Sequence, residues 1–165
     1  MKIYENYLSD REFTLIENII NSSSFPWNLT TKVNNNSEEG DFQFLHTLSE
    51  KDAKESAFNI FLKKLLITTN AKSITLIRMR VNLFINTTNK QKGLGYHQDI
   101  VGASDIKTLL FYLEESNGFT EFKNKQTVQS KKNRAVIFNA TDIHQTVMQT
   151  DTLFRKNINI NFKVS

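Results

Sequence analysis

The chain has 165 residues, 39% of them hydrophobic and 23% charged, with one Pro and five Gly. This composition excludes collagen-like, low-complexity and disordered classes and reads as one globular domain spanning 1–165. There is no Cys, so disulfide staples, thiolate metal sites and cysteine nucleophiles are out, and His, Asp and Glu remain as ligands for any metal. The 21 basic residues against 17 acidic ones give a mild formal charge of +4. With the lysines dispersed apart from Lys123, Lys125, Lys131 and Lys132, the excess reads as solvated turns before it reads as a nucleic-acid surface.

The opening Met1-Lys2-Ile3-Tyr4-Glu5 has no charged-then-apolar leader, and together with the missing Cys this makes the cytoplasm the expected setting. No apolar run approaches the roughly 18 residues that span a bilayer, so no membrane partner is expected. Ser9 and Glu12 have capping-box spacing, and Phe13, Ile16, Ile19 and Ile20 recur at helical intervals, predicting a helix over about 10–21. Ser22 to Pro26 ends it. Residues 27–41 are polar and Asn-rich and predict a loop with some edge strand. A second helix is expected from Ser49 to about Thr69 or Asn70, with Ala53, Ala57, Ile60, Phe61, Leu65 and Leu66 on one side. The helical support then covers about 1–72.

After Ser73 the period changes to alternation, with Ile77, Met79, Val81, Leu83 and Ile85 facing one way and Arg78, Arg80, Asn82 and Phe84 the other. Further short strands are expected over 107–113, 119–122, 134–138, 145–149 and 155–164, with turns at Ser116-Asn117-Gly118 and Lys131-Lys132-Asn133. Such spacing suits a β core, over about 73–165, closed into a barrel or double sheet. Gly93-Leu94-Gly95 lacks the later Gly and the Lys-Ser/Thr ending of a phosphate loop.

Three His are present: His46, His97 and His144. In His97-Gln98-Asp99 an imidazole and a carboxylate two positions apart leave an extended segment from the same face and can converge on one ion. His144, after a short turn beyond the 134–138 strand, can supply a third ligand. Two His and one carboxylate on one face of an octahedral ion form the facial triad of non-haem Fe(II) oxygenases. A bare His-x-Asp also arises by chance. Arg155 opens a strand on which Asn157, Asn159 and Asn161 share its face; its guanidinium can hold an acid cosubstrate through two parallel hydrogen bonds, or form a surface salt bridge. His46, near Phe42, Phe44 and Leu45, reads as structural. Phe25 and Trp27 read as core-capping aromatics before they read as a substrate-facing pair. Gln98 and Asp105 receive no task.

From Ile74 to Val164 the chain resembles the Fe(II)- and 2-oxoglutarate-dependent dioxygenases, in particular the prolyl-4-hydroxylase-like branch and its short phage-encoded members. The landmarks are Arg80-Val81-Asn82-Leu83, Tyr96-His97-Gln98-Asp99, Lys107 to Leu113, Gly118-Phe119-Thr120-Glu121-Phe122, Asn133 to Asn139, His144 and Arg155 to Phe162. The resemblance implies a mainly β, α+β fold: a double-stranded β-helix, the distorted cupin-like jelly roll of eight or so strands, with the two helices packed on one sheet. It implies iron ligation by His97, Asp99 and His144, and binding of the distal 2-oxoglutarate carboxylate by Arg155. It adds Asn82 as a cosubstrate contact and Thr108 as a hydroxyl in the carboxylate pocket. The cofactors implied are Fe(II), 2-oxoglutarate and O2, with ascorbate as an accessory, and the reaction is C–H hydroxylation with release of succinate and CO2.

Two features depart from the family pattern. A double Gly before the Thr-Glu-Phe element is replaced by Asn117-Gly118-Phe119, which alters a turn and no ligand. A Tyr that often contacts 2-oxoglutarate has Asn82 and Phe84 on its strand instead. The expected substrate is a prolyl or other residue of a peptide or protein, then a nucleic-acid base as in alkylation repair, then a free amino acid or small metabolite. The readings of another class are a non-catalytic cupin-like binding module and a structural virion or assembly protein. A phage-encoded member would act in the host cytoplasm.

Overall fold

The computed structural model describes residues 1–87 and 89–165. Along these the elements run β1 (Lys2–Tyr4), α1 (Asp10–Ile20), β2 (Asn28–Thr30), β3 (Gln43–Leu48), α2 (Glu50–Glu55), α3 (Asn59–Thr69), β4 (Ile74–Ile85), β5 (Ile106–Tyr112), β6 (Phe119–Phe122), β7 (Thr127–Gln129), β8 (Arg134–Asn139), β9 (His144–Val147) and β10 (Phe154–Val164). Seven strands form one antiparallel sheet in the order β1-β8-β5-β10-β4-β3-β2, and three form a second in the order β7-β6-β9. Bridges Gly93↔Val147 and His97↔His144 lay residues 93–97 along the outer edge of β9. No described helix is long and apolar enough to cross a membrane.

Alternation along the three central strands sorts the molecule into layers. Met79, Val81, Leu109, Phe111, Ile158, Ile160 and Phe162 are fully buried on one face of the large sheet, in one hydrophobic cluster with Phe13, Ile16, Phe61 and Leu65 of the helices. Each such side chain contributes roughly 1.5–3 kcal/mol by leaving water. The opposite face meets the small sheet through Leu110, Tyr112, Phe122, Val128, Val136 and Phe138. Apart from Phe84 on β4, the remaining positions of that inner face on the three central strands are polar: Arg78, Arg80 and Asn82 on β4, Thr108 on β5, and Arg155, Asn157, Asn159 and Asn161 on β10.

Helix α1 starts at the expected capping box, in which the Ser9 hydroxyl accepts from the Glu12 amide and the Glu12 carboxylate accepts from the Ser9 amide. The second helix differs from expectation: it is two helices, broken at Ser56. Ser56 is extended (φ −109°, ψ 178°) and its hydroxyl accepts from the Phe58 amide, a local bond that competes with the helical ladder. The break turns Leu62, in place of Leu66, into the core. The left-handed Asn70 (φ 53°) stops α3 where expected.

Ile77 also departs from its expected core position and is 46% exposed. The register between β4 and β10 steps from Arg78↔Asn161 to Leu76↔Phe162, so Ile77 is the extra residue of a β-bulge and Leu76 takes the buried place. Strands β1 and β7 were not expected, each being three residues long.

Candidate active site

The imidazoles of His97 and His144 are placed by one pair of backbone hydrogen bonds. His97 N donates to His144 O at 2.8 Å and His144 N donates to His97 O at 3.0 Å, so the two residues stand directly opposite each other and project from the same face. Their ring centroids lie 4.6 Å apart. The chain then turns, and Asp99 and Ile100 both donate to Ala140 O, while Gln98 Nε2 donates to Thr141 O at 2.6 Å. The two loops that carry the ligands are thereby tied together. One ligand atom from each of His97, Asp99 and His144 lies within 4.8 Å of the other two.

The protonation pattern suits a divalent ion. Nδ1 of His97 lies 3.1 Å from Gly95 O, and Nδ1 of His144 lies 2.8 Å from Asp142 O. A carbonyl only accepts, so each Nδ1 carries the proton and each Nε2 keeps a free lone pair. Burial, with His144 beside it, pushes the His97 pKa down, which favours the neutral, ligating form. Gly95 takes φ +86°, and a Cβ there would meet the Asn36 carbonyl, so the residue that supplies this acceptor has to be Gly.

Asp99 is enclosed by donors. Burial acts to raise its pKa, but His144, the Thr108 hydroxyl, Arg78 and Asn159 outweigh that and hold it below the usual carboxylate value. Thr108 Oγ1 donates to Asp99 Oδ2 at 2.7 Å, Asn159 Nδ2 bridges both oxygens at 3.1 Å, and Arg78 Nη2 reaches Oδ1 at 3.3 Å. Asn161 Nδ2 in turn donates to Thr108 Oγ1 at 2.8 Å. Thr108 therefore lies elsewhere than expected: its hydroxyl is engaged with Asp99, on the β5–β10 register, and not with the carboxylate pocket around Arg155. Asn159 and Arg78 were missed as Asp99 partners, although both stood on the polar stripes of their strands.

Beside the triad is a small cavity of about 60 Å³ that Asn82, Phe84, Leu110, Thr120 and Asn157 help to line. Asn82 is buried there and donates to Asn157 Oδ1 at 2.9 Å. Two pleats along β10 from Asn159 stands Arg155, 1% exposed. None of its guanidinium nitrogens has a hydrogen-bond partner among the described residues. Its charge lies over the Phe84 ring at 5.3 Å, and a Cβ at Gly118 would come within 2.9 Å of Nη1. The nearby Glu114 is taken up by Lys156 at 2.6 Å. Burial pushes the Arg155 pKa down to about 10. A buried guanidinium without a counter-ion is costly, and an anion placed against it would offset that cost.

The remaining conspicuous residues are structural. His46 packs edge-on against Phe25 at 5.1 Å, and Phe25 and Trp27 pack together at 4.7 Å against the main core. Asp105 pairs with Lys163 at 2.6 Å on the surface.

No protein-family model and no curated protein matches this sequence. Solved structures do. A prolyl hydroxylase from Trichoplax adhaerens, in complex with a hypoxia inducible factor peptide fragment, superposes with TM-score 0.70 at 15% identity over 99% of this chain and 83% of its own. A viral collagen prolyl hydroxylase from Paramecium bursaria Chlorella virus-1, as its 2-oxoglutarate complex, gives 0.65 at 15% over 99% and 96%. A 2OG-Fe(II) oxygenase family oxidoreductase from Burkholderia pseudomallei gives 0.67 at 10% over 96% and 82%. Two facing antiparallel sheets with helices on the larger, matched along nearly the full chain, are the double-stranded β-helix of the 2OG-Fe(II) oxygenases, and this chain has that fold.

Proposed function

We propose that this chain is an Fe(II)- and 2-oxoglutarate-dependent dioxygenase that hydroxylates a C–H bond of a peptide or protein substrate, with release of succinate and CO2. The observation that carries the reading is Arg155, a fully buried guanidinium with no hydrogen-bond partner among the described residues, on the inner face that a His-Asp-His cluster adjoins. Iron is held by His97 and His144 through Nε2 and by Asp99 through a carboxylate oxygen. The distal carboxylate of 2-oxoglutarate is received by Arg155, with Asn82 between the two ends. When bound, the iron and the keto acid supply the activation of O2 and the oxidation of the substrate C–H bond.

The chain's own residues orient and exclude. Gly95 O and Asp142 O fix the imidazole tautomers; Thr108, Asn159 and Arg78 keep Asp99 ionised and immobile. Phe84 and Leu110 give the cosubstrate cavity apolar walls that limit water. A peptide substrate is supported by the complex of the structurally similar Trichoplax prolyl hydroxylase with a peptide fragment. A nucleic-acid substrate finds less support, because Lys125, Lys131 and Lys132 pair with Glu121, Glu5 and Glu17. The helices share one hydrophobic cluster with the large sheet, which supports reading 1–165 as one domain. The absence of Cys suits a reducing compartment and supports a cytoplasmic setting.

Anaerobic titration of the metal-free protein with Fe(II) and 2-oxoglutarate tests the reading. The metal-to-ligand charge-transfer absorption of the chelate is expected in the wild type and absent in His97→Ala. In Arg155→Ala it should require at least about tenfold more 2-oxoglutarate, as expected for loss of a charged hydrogen-bond pair. A wild type that binds Fe(II) without forming the band, or forms none of either, overturns the proposal.

A further inference from the structure

A second, larger cavity of about 630 Å³ adjoins the small one and shares Val33, Arg78, Arg80, His97 and Asp99 with it, while Asn82, Phe84 and Asn157, toward Arg155 on their strands, line only the small one. Its charged lining is Lys32, Arg78, Arg80 and Asp99, three cations against one carboxylate, and that carboxylate belongs to the triad. Arg78 and Arg80 are two apart on β4 and project from one face. Arg78 spends one terminal nitrogen on Asp99 at 3.3 Å, while its Nε is buried without a partner. Arg80 pairs with no carboxylate among the described residues, and its Nε is also buried and unpartnered. Burial and the neighbouring Arg78 push its pKa down, and the charge of Asp99 offsets this only in part. The two adjacent guanidiniums are half-buried, each with one stranded nitrogen, and the single carboxylate of Asp99 cannot neutralise both.

We infer that Arg78 and Arg80 form a second anion-binding site, distinct from that of Arg155, and that it anchors a carboxylate of the primary substrate beside the triad. The inference deepens the oxygenase reading as regards substrate and rests on it for the reaction, while carboxylate binding stands on the two arginines alone. A carboxylate suits the fork geometry of a guanidinium, which offers two parallel N–H donors. The rest of the wall mixes aliphatic and amide side chains, with Val33, Val101 and Ile143 beside Asn34, Asn35, Asn36 and Gln98, which suits a short aliphatic stem behind the carboxylate. A nucleic-acid strand fits less well: strand-binding grooves stack successive bases on aromatic rings. The sole aromatic in this lining apart from His97 is Tyr96, whose hydroxyl is engaged by Glu121 at 2.7 Å.

The carboxylate can belong to a free aliphatic acid or to an acidic side chain of a peptide, and the test separates these. In isotope-labelled, metal-free, full-length protein, the Nε–Hε resonances of Arg78, Arg80 and Arg155 are assigned by single Arg→Lys replacements. They are then followed during titration with hexanoate, with the capped pentapeptide Ala-Ala-Glu-Ala-Ala, with its Gln counterpart, with 2-oxoglutarate and with octathymidylate. Expected is a saturable shift of Arg78 and Arg80 with hexanoate or with the Glu peptide, and none with the Gln peptide; the stronger of the two ligands identifies the source. Arg80→Gln is expected to weaken that ligand about tenfold or more; unchanged Arg155 and backbone resonances certify its fold, and Arg80→Lys serves if they move.

Silence of Arg78 and Arg80 toward both carboxylates overturns the inference. So does 2-oxoglutarate shifting this pair before Arg155, or octathymidylate binding there more tightly than either carboxylate. Arg155 silent toward 2-oxoglutarate, with Arg80 still responding to hexanoate, overturns the cosubstrate assignment and upholds the substrate site.

Discussion

Burial alone would push the Asp99 carboxyl toward its neutral form, yet the residue is held ionised by groups from three strands. Thr108 of β5, Asn159 of β10 and Arg78 of β4 are brought there by register, and each satisfies a lone pair that would otherwise be stranded. Arg155 is the opposite case, a charge left uncompensated by the protein itself. An uncompensated buried charge of this kind costs on the order of 3–5 kcal/mol. Arg155→Met should therefore raise the thermal midpoint of the metal-free protein, by roughly 2 °C or more for a chain of this length. Adding 2-oxoglutarate at a hundred times its dissociation constant should stabilise the wild type by about 2.7 kcal/mol. That corresponds to a rise of roughly 5–10 °C, and the variant, binding at least about tenfold more weakly, should show at most about half of it. Equal stabilisation of both proteins in a thermal melt would remove Arg155 from the cosubstrate site.

At the scale of elements, the antiparallel triple β4, β10 and β5 does the positioning, and its alternation was legible in the sequence. Met79, Val81, Ile158 and Ile160 fall on one face and Arg80, Asn82, Asn157 and Asn159 on the other because the strand period is two. The bulge that exposes Ile77 was not legible, since it depends on the partner strand. Neither were β1 and β7, which have too few residues to show a period. His97, Asp99, His144 and Arg155 stand out in the sequence because their residue types are chemically distinctive, and the structure brings the first three together. Asn159 and Arg78 reach Asp99 across sequence separations of 60 and 21 residues, and only the register reveals them. The residue 93–97 segment is the most demanding local conformation, with Gly95 left-handed against the Asn36 carbonyl and its own carbonyl on His97 Nδ1. Gly95→Ala should cost about 1–3 kcal/mol of stability in urea unfolding. By disturbing the acceptor that orients His97 it should also weaken Fe(II) binding about 10- to 100-fold. An unchanged Fe(II) dissociation constant in the folded variant would mean that His97 is oriented by its strand alone.

For the molecule as a whole, the helices and the site are two faces of one sheet: the apolar face buried under α1 and α3 supplies the stability that lets the inner face be polar. Those buried polar groups then make stability depend on pH. His97 has its pKa pushed below the ordinary 6.5 by burial and by His144. Between that lowered value and 6.5 the unfolded chain binds more protons than the folded one, so stability falls as pH drops below about 6.5. Asp99, held below the ordinary 3.8, contributes stability that is complete above that value and is lost only as pH falls further, through its lowered folded pKa. The two groups therefore act in separate windows with the same sign. In urea unfolding of the metal-free protein, the free energy should decline between pH 7 and pH 5 with a slope from His97 of at most about 1.4 kcal/mol per pH unit. His97→Gln, which keeps a polar side chain but cannot titrate, should flatten that limb and leave the loss below pH 4 in place. A parallel decline in wild type and variant would assign the first window to another group and would mean that the His97 imidazole is more solvated than its enclosure by Gly95, His144 and Asp99 implies.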